Sequence, residues 1–181
     1  MDKKREPKQA SQSTVVKGKH RTLTRFPNIK VRVVNLGGNQ SYTKKLFDDI
    51  LSDYVCRKGV EISQEIFKID IVLSLMPGEN TGICVWGHDV NEILIQVAAP
   101  WLDEDFEEDA YGNELVMRHF FNTLCHEFVH AAQKLTDNKG TQAKGFTYDP
   151  TDKTEEYYFD PLEIEARFLA DFYLTKFINY G

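Results

Sequence analysis

The chain has 181 residues with 41% hydrophobic and 12% aromatic content, enough for one domain with a true core and too little for two. The net charge of −6 hides a division: residues 1–32 carry ten Lys or Arg against Asp2 and Glu6, or +8, and the remainder carries 12 basic and 26 acidic residues, or −14. No run approaches 18 apolar residues, and Met1-Asp2-Lys3-Lys4-Arg5 is not followed by an apolar stretch, which argues against a membrane span or a secretory signal.

From Lys3 to Lys19 the chain is polar, basic and nearly free of apolar groups, so residues 1–24 are expected to be a disordered basic tail and residues 25–181 the folded domain. Such a tail has the charge to hold nucleic acid or an acidic partner, and equally to act only as a solubilising arm. Cys56, Cys84 and Cys125 are widely spaced and form no CxxC, which fits reduced thiols in a cytoplasmic protein better than a disulfide framework.

Ordered structure is expected to begin near Arg25. Ile29 to Val34 alternates as a strand does, and Gly37-Gly38-Asn39 ends it. Ser41 reads as an N-cap, after which Leu46, Phe47, Ile50, Leu51, Tyr54 and Val55 recur at helical spacing until Gly59. Phe67 to Leu75 reads as a second strand. Gly82 to Trp86 and Glu92 to Ala98 are two more, joined as a hairpin through His88 and its neighbours. The acidic run from Asp103 to Asp109 follows; its spacing does not match an EF-hand loop, and it reads as a solvated face.

Asn113 to Lys134 then reads as one uninterrupted helix, and it contains His126-Glu127-Phe128-Val129-His130. Two imidazoles four positions apart stand about one helical turn apart on one face, where both reach a single metal ion. Glu127 lies on the neighbouring strip of that face. A zinc ion in such a site lowers the pKa of a coordinated water to about 7, and the adjacent carboxylate serves as general base and then proton donor. The pattern therefore predicts zinc-dependent peptide hydrolysis, with Glu127 catalytic and a protein or peptide as substrate. There is no GxSxG, P-loop or GxGxxG to support serine-nucleophile or nucleotide chemistry.

Catalytic zinc takes three protein ligands and keeps one position open. No histidine follows His130, so the third ligand is expected to be a carboxylate. Thr136 to Asp160 is a long segment rich in Gly, Thr, Asp and Tyr, and Pro161 opens a last helix bearing Glu163 and Glu165. These two stand about 200° apart on a helix, so one of them faces the metal, and the apolar stripe does not settle which.

Thr123 to Gln133 followed by Pro161-Leu162-Glu163-Ile164-Glu165-Ala166 resembles the compact gluzincin-type metallopeptidases of bacteria and their phages. That resemblance implies a zincin-like α+β domain in which a small mixed sheet packs on the HExxH helix and the C-terminal helix completes the site. It matches the third zinc ligand onto Glu163, beside His126 and His130. Where those families carry an Asp or Asn that orients a ligating histidine, this chain has Arg167, which removes that partner and leaves its replacement unidentified by the sequence. It further implies that substrate lies along an edge strand, expected to be Glu92 to Ala98. The basic tail together with the HExxH helix also resembles SprT-like repair proteases, which gives a nucleic-acid-associated protease as an alternative, and a zincin fold kept only as a binding module is another. His119, two turns before His126, is expected to be partly buried and structural. Tyr148, Tyr157 and Tyr158 are candidates for oxyanion stabilisation, and Cys125 is expected to be a small buried residue rather than a ligand.

Overall fold

A computed structural model describes residues 18–35, 40–76, 81–86, 91–102, 110–136 and 158–178. Within them the order of elements is β1 (Arg21–Thr22), β2 (Ile29–Asn35), α1 (Gln40–Lys58), β3 (Phe67–Ser74), β4 (Gly82–Trp86), β5 (Glu92–Ala98), a 3-10 turn (Pro100–Leu102), α2 (Ala110–Thr136) and α3 (Pro161–Phe177). The architecture is α+β: a mixed five-stranded sheet in the order β1-β2-β3-β5-β4, with three helices. No helix of the described residues is long and apolar enough to cross a membrane.

The strands expected from alternation form where expected. Strands β2, β3 and β5 pair in parallel, and β4 and β5 form the antiparallel hairpin. The register aligns Val31, Ile69, Ile93 and Trp86 in one row, and Val33, Ile71, Ile95 and Cys84 in the next. Because strand side chains alternate between faces, both rows lie on one face, and it is there that Ile69, Ile71, Ile93, Ile95 and Val97 are buried. The other face carries polar pairs: Arg32 binds Asp70 through two nitrogens, at 2.8 and 2.6 Å, and Lys68 faces Glu92 at 3.6 Å. One sheet face is thus the core and the other is wet, as expected of a sheet covered by helices on a single side.

Several boundaries differ from the sequence reading. Helix α1 begins at Gln40, so Ser41 lies inside its first turn instead of capping it. Gly59 does end the helix, at φ +60°, a left-handed conformation that glycine adopts without strain. Helix α2 starts at Ala110, before Gly112, and runs to Thr136. Ordered structure begins before Arg25, because β1 pairs with β2 and Leu23 is 2% exposed in the core; two residues are too short a strand for alternation to reveal. The largest correction concerns the edge. Strand β5 lies between β3 and β4 and has no free side, so among the described residues the edge at this end of the sheet is β4, as β1 is at the other.

Helix α1 packs on α2 through an edge-to-face contact of Phe47 with Phe128, ring centroids 4.9 Å apart. Helix α3 packs on α2, and fully buried alanines on both, Ala131 and Ala132 with Ala166 and Ala170, permit a close crossing. That crossing sets the site.

Candidate metal centre

Helix α2 presents His126 and His130 on one face, as i,i+4 spacing requires. Their Nε2 atoms are 3.0 Å apart. Helix α3 enters from the other side. Asp160 caps its first turn by accepting from the backbone N–H of Leu162 at 2.7 Å and of Glu163 at 3.4 Å, and Pro161 supplies the fixed φ of the first helical position. The capped turn carries Glu163 to the histidines: Oε1 is 3.1 Å from His130 Nε2, and Oε2 is 3.3 Å from His126 Nε2. Glu163 is 5% exposed and Glu127 is 6% exposed.

These distances fit a metal. Ligand atoms about 2.1 Å from a shared tetrahedral centre stand about 3.4 Å from one another, close to the spacings here. Among the described residues, His126, His130 and Glu163 form the one group of this kind, with ligating atoms mutually within 4.8 Å. Glu163 Oε2 is buried without a hydrogen-bond partner, and two imidazole Nε2 lone pairs at 3.0 Å repel unless a proton or cation lies between them. Two imidazole nitrogens and one carboxylate, one of whose oxygens is buried and unsatisfied, suit a divalent cation of borderline softness such as Zn2+.

Electrostatics without a metal show the same demand. Burial alone would raise the Glu163 carboxyl, yet the proximity and charge of the His126 and His130 imidazoles hold it well below its ordinary value. Burial opposes charge on His130, but the bond to Glu163 and the fields of Glu127 and Glu163 lift it to about 9. The Glu127 carboxyl is pushed up by burial, opposed by both histidines and assisted by Glu163. A carboxylate with a raised pKa beside two imidazoles is suited to accept a proton and give it back.

Strand β4 closes the other side of Glu127. A Cβ placed on Gly82 would stand 2.6 Å from Thr123 Cγ2 and 2.7 Å from Glu127 Oε1, so the strand backbone lies directly against that carboxylate. Two residues along the same face, the Cys84 thiol is pushed well above its ordinary range by burial and then by the charge of Glu127. Neither residue is recognisable from sequence, because glycine and cysteine in a strand carry no local mark of a neighbour on another element.

The remaining candidates separate clearly. Glu165 is 22% exposed at its side chain and turns away from the histidines, accepting hydrogen bonds from Lys58, Tyr54 and Gln133. His119 is exposed on α2, not partly buried, and is not in the cluster. Cys125 is fully buried and its thiol is pushed up to about 12 by burial, as suits a core residue. Tyr158 is 46% exposed; its carbonyl accepts from Arg167, whose guanidinium lies over the Tyr158 ring at 5.6 Å. Tyr148, Tyr157, His88, the acidic run 103–109 and most of the basic tail lie outside the described residues. Gln133 was missed from the sequence: its side-chain oxygen is 2.8 Å from His130 Nδ1. The signal was present, since Gln133 follows His130 by three positions and so shares its face.

Comparison with family models, with curated proteins and with solved structures gives no match for this chain.

Proposed function

We propose that this protein is a zinc-dependent metallopeptidase of zincin-like, gluzincin type, with His126, His130 and Glu163 as metal ligands and Glu127 as general base. The observation that carries this reading is the convergence of Glu163 from α3 on both imidazoles of α2, at 3.1 and 3.3 Å, beside the buried Glu127. When bound, zinc supplies a Lewis acid for the scissile carbonyl and brings the pKa of a coordinated water to about 7.

The chain's own residues do the rest. Glu127 takes the proton from the attacking water as its oxygen bonds to the carbonyl carbon, and delivers that proton to the amide nitrogen as the C–N bond breaks. The raised pKa of Glu127 favours both transfers near neutral pH. The side of β4 that is unpaired among the described residues would offer backbone N–H and C=O groups to an extended peptide, which would then lie beside Gly82, Cys84 and Glu127. Substrate recognition through main-chain pairing favours unfolded or flexible polypeptide over a folded surface.

Incubating zinc-loaded protein with an unfolded protein substrate tests the proposal. Peptide-bond cleavage that is lost with a chelator and in Glu127→Gln is expected. Stoichiometric zinc without cleavage of any unfolded substrate would instead leave a metal-bearing binding module.

A further inference from the structure

The two helices that hold the ligands are also joined by a second set of polar contacts, one layer behind His130. Gln133 Oε1 is 2.8 Å from His130 Nδ1. Its Nε2 donates to the backbone carbonyl of Leu162 and to Glu165 Oε2, both at 3.0 Å. Glu165 is held in turn by Tyr54, whose hydroxyl donates to Oε2 at 3.0 Å, and by Lys58 on Oε1. Tyr54 and Lys58 belong to α1, Gln133 to α2 and Glu165 to α3, so one chain of contacts crosses all three helices.

The donor and acceptor roles along this chain admit one solution. A backbone carbonyl can only accept, and the Glu165 carboxylate, which Lys58 and the Tyr54 hydroxyl address independently of Gln133, accepts as well. The Gln133 group facing both must therefore be the NH2 end. This fixes the amide orientation, so the atom facing His130 is the oxygen, which can only accept. His130 Nδ1 must then carry hydrogen, whatever the state of Nε2. A neutral His130 in this setting is the Nδ1–H tautomer, and its lone pair is at Nε2, the atom that faces Glu163 and His126.

We propose that Gln133 and Glu165 are positioning residues: Glu165, anchored by α1, orients the Gln133 amide, and Gln133 fixes the tautomer and ring direction of His130 for metal binding. This rests on the metallopeptidase reading for its consequence but not for its geometry. Glu165 thereby has a role one contact removed from the ligand it was weighed against, and Gln133 does the work for which Arg167 is chemically unsuited, since a guanidinium has no acceptor to receive Nδ1–H.

The test uses polarity rather than truncation. Gln133→Met keeps length and packing but removes the acceptor, and is expected to weaken zinc about 10–100-fold in competition with a chelator. Gln133→Glu sets a carboxylate against Glu165 and the Leu162 carbonyl, and should also bind zinc poorly. Adding Glu165→Gln to Gln133→Glu restores a donor facing an acceptor at every contact except the Leu162 carbonyl, and should recover much of the affinity. In metal-free protein, 15N NMR should show a His130 Nδ1 proton protected from exchange in the wild type and unprotected in Gln133→Met. Wild-type zinc affinity in Gln133→Met, or no recovery in the double variant relative to Gln133→Glu, would overturn the proposal. If the wild-type protein took up no zinc, the metallopeptidase reading would fall, while the protected Nδ1 proton would still decide whether the relay exists.

Discussion

Gly82 and Glu127 are so close that the strand has room for the carboxylate only because Gly82 has no side chain: a Cβ there would lie 2.7 Å from Oε1 and 2.9 Å from Cγ of Glu127. Atoms do not approach that closely without displacement. Thr123, one turn before Glu127 on the same helix and 8% exposed, lies 2.6 Å from the same point, so α2 meets the added Cβ at two residues. Gly82→Ala is therefore expected to move the Glu127 carboxylate and cost about 100-fold in kcat/KM, while zinc content stays at the wild-type level. Hydrolysis at the wild-type rate in Gly82→Ala would show that the strand yields and that this contact does not position the base.

Glu127→Gln should abolish hydrolysis and leave zinc bound, because it removes the base and none of the ligands. Metal analysis alongside the assay makes the two effects separable. Substantial cleavage by this variant would remove Glu127 from the mechanism.

Glu163→Ala and Glu165→Ala are expected to differ in kind. The first deletes an oxygen 3.1 Å from His130 Nε2 and should lose zinc on dialysis against a weak chelator. The second leaves all three ligands in place and should retain zinc with reduced affinity, through the loosened Gln133 amide. Metal loss only in the Glu165 variant would reverse the ligand assignment.

The metal-free protein should have a defined pH window. His130 is lifted from 6.5 to about 9, so its contribution to stability is complete below about 6.5 and is lost as pH rises through 9. Glu163 is held below its ordinary 4.5, so its contribution is present above that value and is lost as pH falls beneath it. Thermal melts of metal-free protein should thus weaken towards pH 9, and zinc-loaded protein should not show that loss, since a ligated His130 has no Nε2 proton to lose. Zinc binding should release about one proton near pH 7.5 and tighten about tenfold per pH unit up to 9. Calorimetry in buffers of different ionisation enthalpy reads that proton directly, and zero release would contradict the His130 assignment.

Truncations should show where the domain begins. Removing residues 1–17 takes away none of the core residues described, and the melting temperature should not change. Removing residues 1–25 also takes β1, the buried Leu23 and the Arg25–Asp49 pair at 2.8 Å, and should lower it on the order of 10 °C. Equal melting temperatures for the two truncations would show that β1 and Leu23 contribute little.

By itself the sequence determined most of what depends on spacing within one element. Alternation located β2 to β5, helical periodicity located α1, α2 and α3, and HExxH placed two imidazoles and a carboxylate on adjoining strips of one face, because a helix or strand repeats by fixed geometry. Only the tertiary structure decided relationships between elements. Sequence left Glu163 and Glu165 open because both lie beside the apolar stripe of α3; the rotation of that helix on α2 turned Glu163 to the histidines and Glu165 to Gln133, Tyr54 and Lys58. Sequence put the edge at Glu92–Ala98, and strand order put it at β4, since chain order does not fix which hairpin strand lies outermost. The place of Gly82 against Glu127 was likewise set by sheet-on-helix packing between residues 45 positions apart, a distance over which no local pattern carries information.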